Sequence, residues 1–316
     1  MQEKKILCII LAVIIIKSTD NLKGTLSALT SNIIFGLSFI FSEKALKISD
    51  PLVILSVRFT LSFLFLGFLI LIRAVKVNFK EKNILPLIFM SLAQPGIYFI
   101  AEIYGIKYTS SAISGIIISL VPVGVIILST AFLKERPTFF QTVCTVVSVA
   151  AVSAIGAISA KGGKNTVLGI ILLFIAVISA AAFNILSRKA SKEFSPFEKT
   201  FFMFFSGSII YNIIGLLALK KHFFIIITSS FKNTDFIISV IYLACVSSVA
   251  AFMLFNYATS KISPVKSASF SNIITVVSVM AGIFIMHNEI NYIQLILCIP
   301  AILGVFGVNA LDKSNR

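Results

Sequence analysis

Long apolar runs, broken by short charged or turn-forming stretches, recur along the whole chain at 24–43, 52–72, 84–106, 112–133, 139–160, 167–187, 200–219, 236–259, 267–286 and 292–311. Each is about 20 residues, the length that crosses a hydrocarbon core of about 30 Å at about 1.5 Å per residue. The pattern predicts ten membrane-spanning α-helices. Connections such as Lys134-Glu135-Arg136-Pro137 and Lys261-Ile262-Ser263-Pro264 suit only tight hairpins. Pro51, Pro137 and Pro196 stand at or just before predicted helix starts, where a missing N–H costs little.

The first 23 residues follow another pattern. Lys4 and Lys5 precede the eleven apolar residues Ile6 to Ile16, which reach about 17 Å and fall short of a span. Lys17-Ser18-Thr19-Asp20 offers no small-x-small cleavage site. The expectation is an uncleaved extension, interfacial or partly inserted.

Composition sharpens the reading. Of 316 residues 58% are hydrophobic and 12% charged, and a mean hydropathy of +1.04 lies far from that of soluble domains. The excess of 27 Lys and Arg over 12 Asp and Glu does not indicate nucleic acid, because the cations fall between the apolar runs, where they set orientation. Arg58 excepted, 18 basic residues fall on the side of the first span's start and eight on the other. Both termini are therefore expected in the cytoplasm and the chain in the cell membrane. Cys8, Cys144, Cys245 and Cys298 lie in apolar stretches without metal-like spacing, and His222 and His287 fall in predicted loops. No metal or cofactor is expected.

The chain also repeats itself. At an offset of 145, Gly24, Ser42, Lys44, Ala45 and Pro51 fall on Gly169, Ser187, Lys189, Ala190 and Pro196; at 153, Tyr104 falls on Tyr257 and Gln141 on Gln294. The expected units are an extension at 1–23, five-helix repeats at 24–160 and 167–311, and a tail at 312–316. Because five is odd, the second copy enters the membrane inverted relative to the first, the arrangement that supports alternating access.

Phe35-Gly36-Leu37-Ser38-Phe39, Lys44, Asp50-Pro51, Arg58, the stretch Tyr104-Gly105-Ile106-Lys107-Tyr108-Thr109-Ser110-Ser111-Ala112, Pro122 and Leu133-Lys134-Glu135-Arg136 resemble the EamA family of the drug/metabolite transporter superfamily. Phe255-Asn256-Tyr257-Ala258, Ile262-Ser263-Pro264-Val265, Asn272 and Glu289 continue the resemblance to about residue 311. Departures occur at Phe35, where Trp is usual, at Thr275, where Pro is usual, and at His287-Asn288. The resemblance implies a ten-helix metabolite carrier, often an exporter, with spans 1–4 and 6–9 around a cavity and spans 5 and 10 peripheral.

Within the spans only Arg58 and Glu102 are charged away from a helix end, and intramembrane charges are costly enough to mark function. At about 9 Å and 6 Å from the same side, they are expected to pair across antiparallel neighbours, a structural pair that would keep Glu102 charged, or else to serve substrate binding or proton coupling. Glu43, Glu135 and Glu289 read as boundary residues, and Ser111, Gly115 and Ser119 as a small-residue packing stripe. Pro95 and Pro122 lie inside spans and are hinge candidates. Ser38, Tyr98, Asn184, Asn212, Asn256, Tyr257 and Asn272 are the candidate polar groups of a Phe-rich binding site.

These features favour a secondary carrier of small metabolites over an enzyme, which would need a nucleophile with its base or a metal cluster. Gly162-Gly163-Lys164-Asn165-Thr166 is not a P-loop. Carriers of phosphorylated or nucleotide sugars need several cations in the cavity, so amino acids or related amines and carboxylates fit better. A structural or receptor role would not need an inverted repeat. The expected partners are a small-molecule substrate and the lipid bilayer; a homodimer is compatible, but a monomer suffices.

Overall fold

The computed structural model describes residues 2–109, 114, 117–118, 120–133, 137–159, 166–286 and 292–310, with only the backbone for 2–19, 155–159, 278–279, 282–286, 294–295 and 309–310. Among these residues every regular element is helical: α1 (Gln2–Leu46), α2 (Pro51–Leu71), α3 (Leu85–Ser91), α4 (Tyr98–Tyr108), α5 (Val121–Phe132), α6 (Phe139–Ser159), α7 (Val167–Ala190), α8 (Pro196–Leu219), α9 (His222–Ser230), α10 (Thr234–Ile241), α11 (Ala251–Lys261), α12 (Pro264–Ser269), α13 (Ser271–Met286) and α14 (Tyr292–Ala310). Wider π-helical turns at Leu92–Ile97 and Tyr242–Ala250 join α3 to α4 and α10 to α11.

Among the described residues, six stretches are long and apolar enough to cross a membrane: Asp20–Leu46, Pro51–Leu71, Leu85–Tyr108, Val167–Ala190, Pro196–Leu219 and Thr234–Lys261. Val121–Phe132, Phe139–Ala154 and Ile296–Val308 are shorter apolar helices. Large side chains point outward along them, with Leu71, Phe139 and Leu217 more than 70% exposed, as suits lipid rather than water.

Local sequence explains the helix starts. The Asp50 carboxylate accepts from Leu52 N at 2.9 Å ahead of Pro51. Ser195 and Glu198 form a reciprocal capping box ahead of Pro196. That cap starts α8 four residues before the predicted span and draws Lys199 into its first turn, where it is fully buried. Lys199 is thus not a loop cation, and Lys266, 3% exposed, is not one either. One further expectation is corrected: His222 opens the short helix α9 rather than lying in a loop. The backbone of the extension runs into α1 as one helix. The Ser111, Gly115 and Ser119 stripe, Glu135, His287 and Glu289 lie outside the described residues.

The π-helical segments set the interior geometry. At Gln94 the backbone leaves helical values (φ −145°, ψ 115°) just before Pro95, so carbonyls there lack their usual i+4 partners. Neighbouring helices supply donors: Ser179 Oγ of α7 reaches Ala93 O at 2.6 Å, and Tyr211 Oη of α8 reaches Pro95 O at 2.7 Å and Gly96 O at 3.0 Å. In the second segment Ala244 O accepts from Ser62 Oγ of α2 at 3.0 Å. Pro122 lies in the first turn of α5, just after a break at Leu120, and Phe270 breaks the chain between α12 and α13 in the same manner.

Helix α1 packs on α11 and α13, α2 on α8, α7 on α3, α4 and α5, and α6 on α14. Tyr211 is fully buried among these contacts. Tyr211→Phe is expected to lower stability by about 1–2 kcal/mol by removing a buried hydroxyl donor to the Pro95 and Gly96 carbonyls, read as a lower thermal midpoint in detergent; an unchanged midpoint would mean the kink does not depend on this donor.

Candidate functional site

A cavity lies where these helices converge. Helix α1 contributes Asn32, Phe35, Ser38, Phe39 and Ser42, spaced three or four residues apart on one face apart from the adjoining Ser38 and Phe39. The kinked segment and α4 contribute Gln94, Tyr98, Phe99, Glu102 and Ile106; α7 contributes Ala180, Phe183 and Asn184; α11 contributes Phe252 and Phe255. Arg58 enters from α2, Ser271 and Ile274 from α13, with Val121 of α5 and Ile118 closing the wall. Among the described residues, none of α6, α8 or α14 lines it. About 90 Å³ of the cavity is open to the centres of water molecules. That is room for roughly six to nine waters at about 10–15 Å³ each, or one small metabolite.

An aromatic cluster centred on Phe252 forms the body of the wall. Its ring lies 4.9 Å from Phe35, 5.8 Å from Phe204, 6.1 Å from Phe99 and 6.2 Å from Phe183. Edge-on and tilted packing of this kind holds the rings in place.

Arg58 and Glu102 both line the cavity, but not as the direct ion pair that the sequence predicts. The Arg58 guanidinium donates to Ser248 Oγ at 2.8 Å and Ser247 Oγ at 3.2 Å, and lies 4.8 Å from the Phe99 ring centroid. Glu102 accepts instead from Tyr98 Oη at 2.7 Å. The reason is local: Tyr98 sits one helical turn before Glu102, while the π-helical segment brings Ser247 and Ser248 to Arg58. Each charge therefore keeps a neutral partner and faces the same space, an arrangement suited to a solute carrying both an anionic and a cationic group.

Ser38, Tyr98 and Asn184 line the cavity, and Pro95 and Pro122 adjoin its lining residues Gln94 and Val121. The other expected binding residues lie elsewhere. Asn256 is fully buried in a network with Ser187 and Thr200. Tyr257 lines shallow pockets beside Ser195 and Lys261. Asn272 turns toward α6, its Nδ2 donating to Ser148 Oγ at 2.8 Å, and Asn212 bonds Thr60 at 2.7 Å. All four are polar and within spans, so composition alone could not separate them from cavity residues; helix rotation does. Asn32, Gln94, Ser42 and Ser271 were missed, although an amide immediately before Pro95 was a usable signal.

One end of the cavity meets a second hollow lined by Glu43, Lys47, Asp50 and Ile106. The other end is tied shut. Lys261 Nζ pairs with Asp20 Oδ2 at 2.7 Å, Lys266 Nζ donates to Asn21 Oδ1 at 3.1 Å, and Arg188 donates to the Thr259 and Ser260 carbonyls at 3.2 and 2.9 Å. Buried Lys199 donates to Ser191 Oγ at 2.7 Å, the Asn256 carbonyl at 2.9 Å and Ser187 Oγ at 3.0 Å. A Cβ at Gly24 would lie 2.8 Å from that of Lys261, so α1 and α11 meet almost backbone to backbone.

Because Arg58 keeps Ser247 and Ser248 when Glu102 is neutralised, Arg58→Gln is not expected to restore what Glu102→Gln loses. Thermal unfolding of both single variants and the double variant tests this; a double variant more stable than Glu102→Gln alone would point to a direct pair.

The comparisons with known proteins agree with this architecture. The model of the EamA-like transporter family matches residues 22–157 and again 167–310. A protein of Bacillus subtilis (strain 168) named "Uncharacterized transporter YcxC" is 30% identical over 299 residues, covering 92% of this chain and 94% of its own. "Uncharacterized transporter in trpA 3'region" of Buchnera aphidicola subsp. Schlechtendalia chinensis is 26% identical over 276 residues, covering 85% and 86%. In fold, the chain matches a solved structure titled "Crystal structure of protein" with a TM-score of 0.74 over 92% of this chain and 99% of the other, at 14% identity. The chain belongs to the EamA-like transporter family and is a multi-pass membrane transporter.

Proposed function

We propose that the protein is a secondary carrier that moves amino acids or related amines and carboxylates, outward across the cell membrane, by alternating access. The observation that carries this reading is the cavity itself: one cation, Arg58, and one carboxylate, Glu102, face a small space walled by Phe rings and amides. A single guanidinium offset by a carboxylate is a poor match for phosphorylated or nucleotide sugars, which call for several cations. Glu102 serves the substrate's cationic group and Arg58 its carboxylate, while Ser38, Tyr98 and Asn184 complete the site.

In this reading ten spans form two inverted five-helix repeats, 24–160 and 167–311. Support comes from three directions. The family model matches twice. The π-helical segments Leu92–Ile97 and Tyr242–Ala250, and the breaks at Leu120 and Phe270, recur at an offset of about 150 residues, the spacing of the sequence repeat. Packing is reciprocal as well: α1 of the first half lies on α11 and α13 of the second, and α7 of the second lies on α4 and α5 of the first. Such halves exchange places about a site between them. The end tied by Asp20, Lys261, Arg188 and Lys199 is the gate that must open, with Pro95 and Pro122 at the hinges.

Transport is tested in proteoliposomes loaded with a panel of amino acids, amines, carboxylates and sugar phosphates. Exchange of amino acids or amines, lost in Arg58→Gln and in Glu102→Gln, is the expected result; movement of sugar phosphates alone would overturn the reading. On a background lacking Cys8, Cys144, Cys245 and Cys298, a short bismaleimide joining Asp20→Cys to Lys261→Cys is expected to stop exchange at least tenfold, since the gate can no longer open; full exchange in the cross-linked protein would remove these residues from the gate.

The basic bias supports a cytoplasmic gate and cytoplasmic termini, and it remains 16 to 8 once buried Lys199 and Lys266 are subtracted from 18. Single cysteines near Lys80 and Lys189 are expected to be shielded from impermeant thiol reagents in intact cells, and those near Lys107 and Lys220 labelled. The reverse pattern would invert the orientation.

A further inference from the structure

The charged groups occupy only one end of the cavity. The rim by Asp50, Ile106 and Lys107 also holds the start of α7, since Thr166 N donates to Tyr108 O at 3.2 Å. Counted along the helices from that rim at about 1.5 Å per residue, Glu102 lies about 9 Å and the Arg58 backbone about 10 Å deep, but Asn184 about 26 Å. The Arg58 side chain extends toward Ser247 and Ser248, which shortens the gap from the charges to Asn184 to roughly 10–15 Å. Beyond the Phe rings this far end is polar yet uncharged.

Two of the lining residues there each carry a buried polar atom without a partner. Asn184 is 4% exposed; its Nδ2 donates to Ala180 O of its own helix at 3.0 Å, which fixes the amide, and its Oδ1 accepts no hydrogen bond. Turning the amide over would set two oxygens against each other, so the acceptor is the free atom. The Ser271 hydroxyl, beside the break at Phe270, is enclosed and unpartnered as well. Helix α12, which leads into Ser271, packs against α7, which carries Asn184. Buried acceptors are nearly always satisfied, and a pair left open on a cavity wall is a place for a ligand's donor.

We infer that the deep end of the cavity is an uncharged hydrogen-bonding subsite that reads an N–H or O–H group at the far end of the substrate. This rests on the reading of Arg58 and Glu102 as the sites for a zwitterionic head. With a hydrogen bond of about 3 Å at each end, the donor stands roughly 5–10 Å from the head, the reach of a long side chain. The substrate class is thereby narrowed to amino acids and close relatives that end in an uncharged donor; short or wholly apolar ones leave Asn184 Oδ1 buried and unpaired, which a site of this kind rejects.

The test measures binding of matched pairs, glutamine against methionine and tyrosine against phenylalanine, to purified protein by calorimetry, and counterflow in proteoliposomes. The donor-bearing member of at least one pair is expected to bind at least tenfold more tightly to the wild-type protein. Asn184→Leu is expected to bring that ratio within twofold, and Ser271→Ala, which removes one atom and tests the subsite should Asn184→Leu fail to fold, to reduce it at least threefold. Equal binding within both pairs, or a preference that survives both substitutions, overturns the subsite while leaving the zwitterion reading intact. Failure of every amino acid and amine to bind overturns that reading and this inference with it.

Discussion

Inside a bilayer every backbone N–H and C=O must find a partner within the protein, because lipid offers none. An unbroken helix meets that demand alone and leaves nothing exposed for recognition. This protein breaks one crossing segment at Gln94–Pro95 and widens another at Tyr242–Ala250, and the side chains that reach the carbonyls there tie the bundle together. Ser179 and Tyr211 serve the first; Ser62 serves the second. The same breaks re-aim side chains. Gln94 turns into the cavity, and Ser247 and Ser248 meet the Arg58 guanidinium.

That geometry governs the charges. A guanidinium and a carboxylate in close contact would neutralise each other and offer a solute little. Here each is held by hydroxyls, Arg58 by two serines and Glu102 by Tyr98, so both remain directed at a space walled by aromatic rings. Hydroxyl partners stabilise a charge without cancelling it, and a narrow apolar enclosure strengthens whatever electrostatic contact a solute then makes.

Asymmetry between the two ends gives the structure its direction. Toward the Glu43 and Asp50 rim the cavity continues into a hollow. The opposite end is closed by α1 lying against α11 and by cations that take carbonyls, hydroxyls, an amide and one carboxylate as partners. Lys199 is the clearest case, a fully buried cation whose contacts lie on α7 and α11. Burying an ammonium among neutral groups is tolerated only where several acceptors converge, so this closure holds only while α7, α8 and α11 keep their present arrangement.

Hydropathy and charge alone determined that the chain lives in a membrane, where most of its helices lie, and that Arg58 and Glu102 belong to its interior, because the lengths of apolar runs and the cost of intramembrane charge are properties of the chain itself. Proline positions likewise disclosed the break at Pro95, since a missing N–H is a local fact. Which amides face the cavity was decided only by tertiary structure. Asn184 and Asn272 look alike in sequence, yet helix rotation turns one into the cavity and the other to Ser148. The partners of Arg58 and the burial of Lys199 were equally hidden: the first depends on a π-helical turn 190 positions away, and the second on a capping box that starts a helix four residues earlier than hydropathy alone indicates.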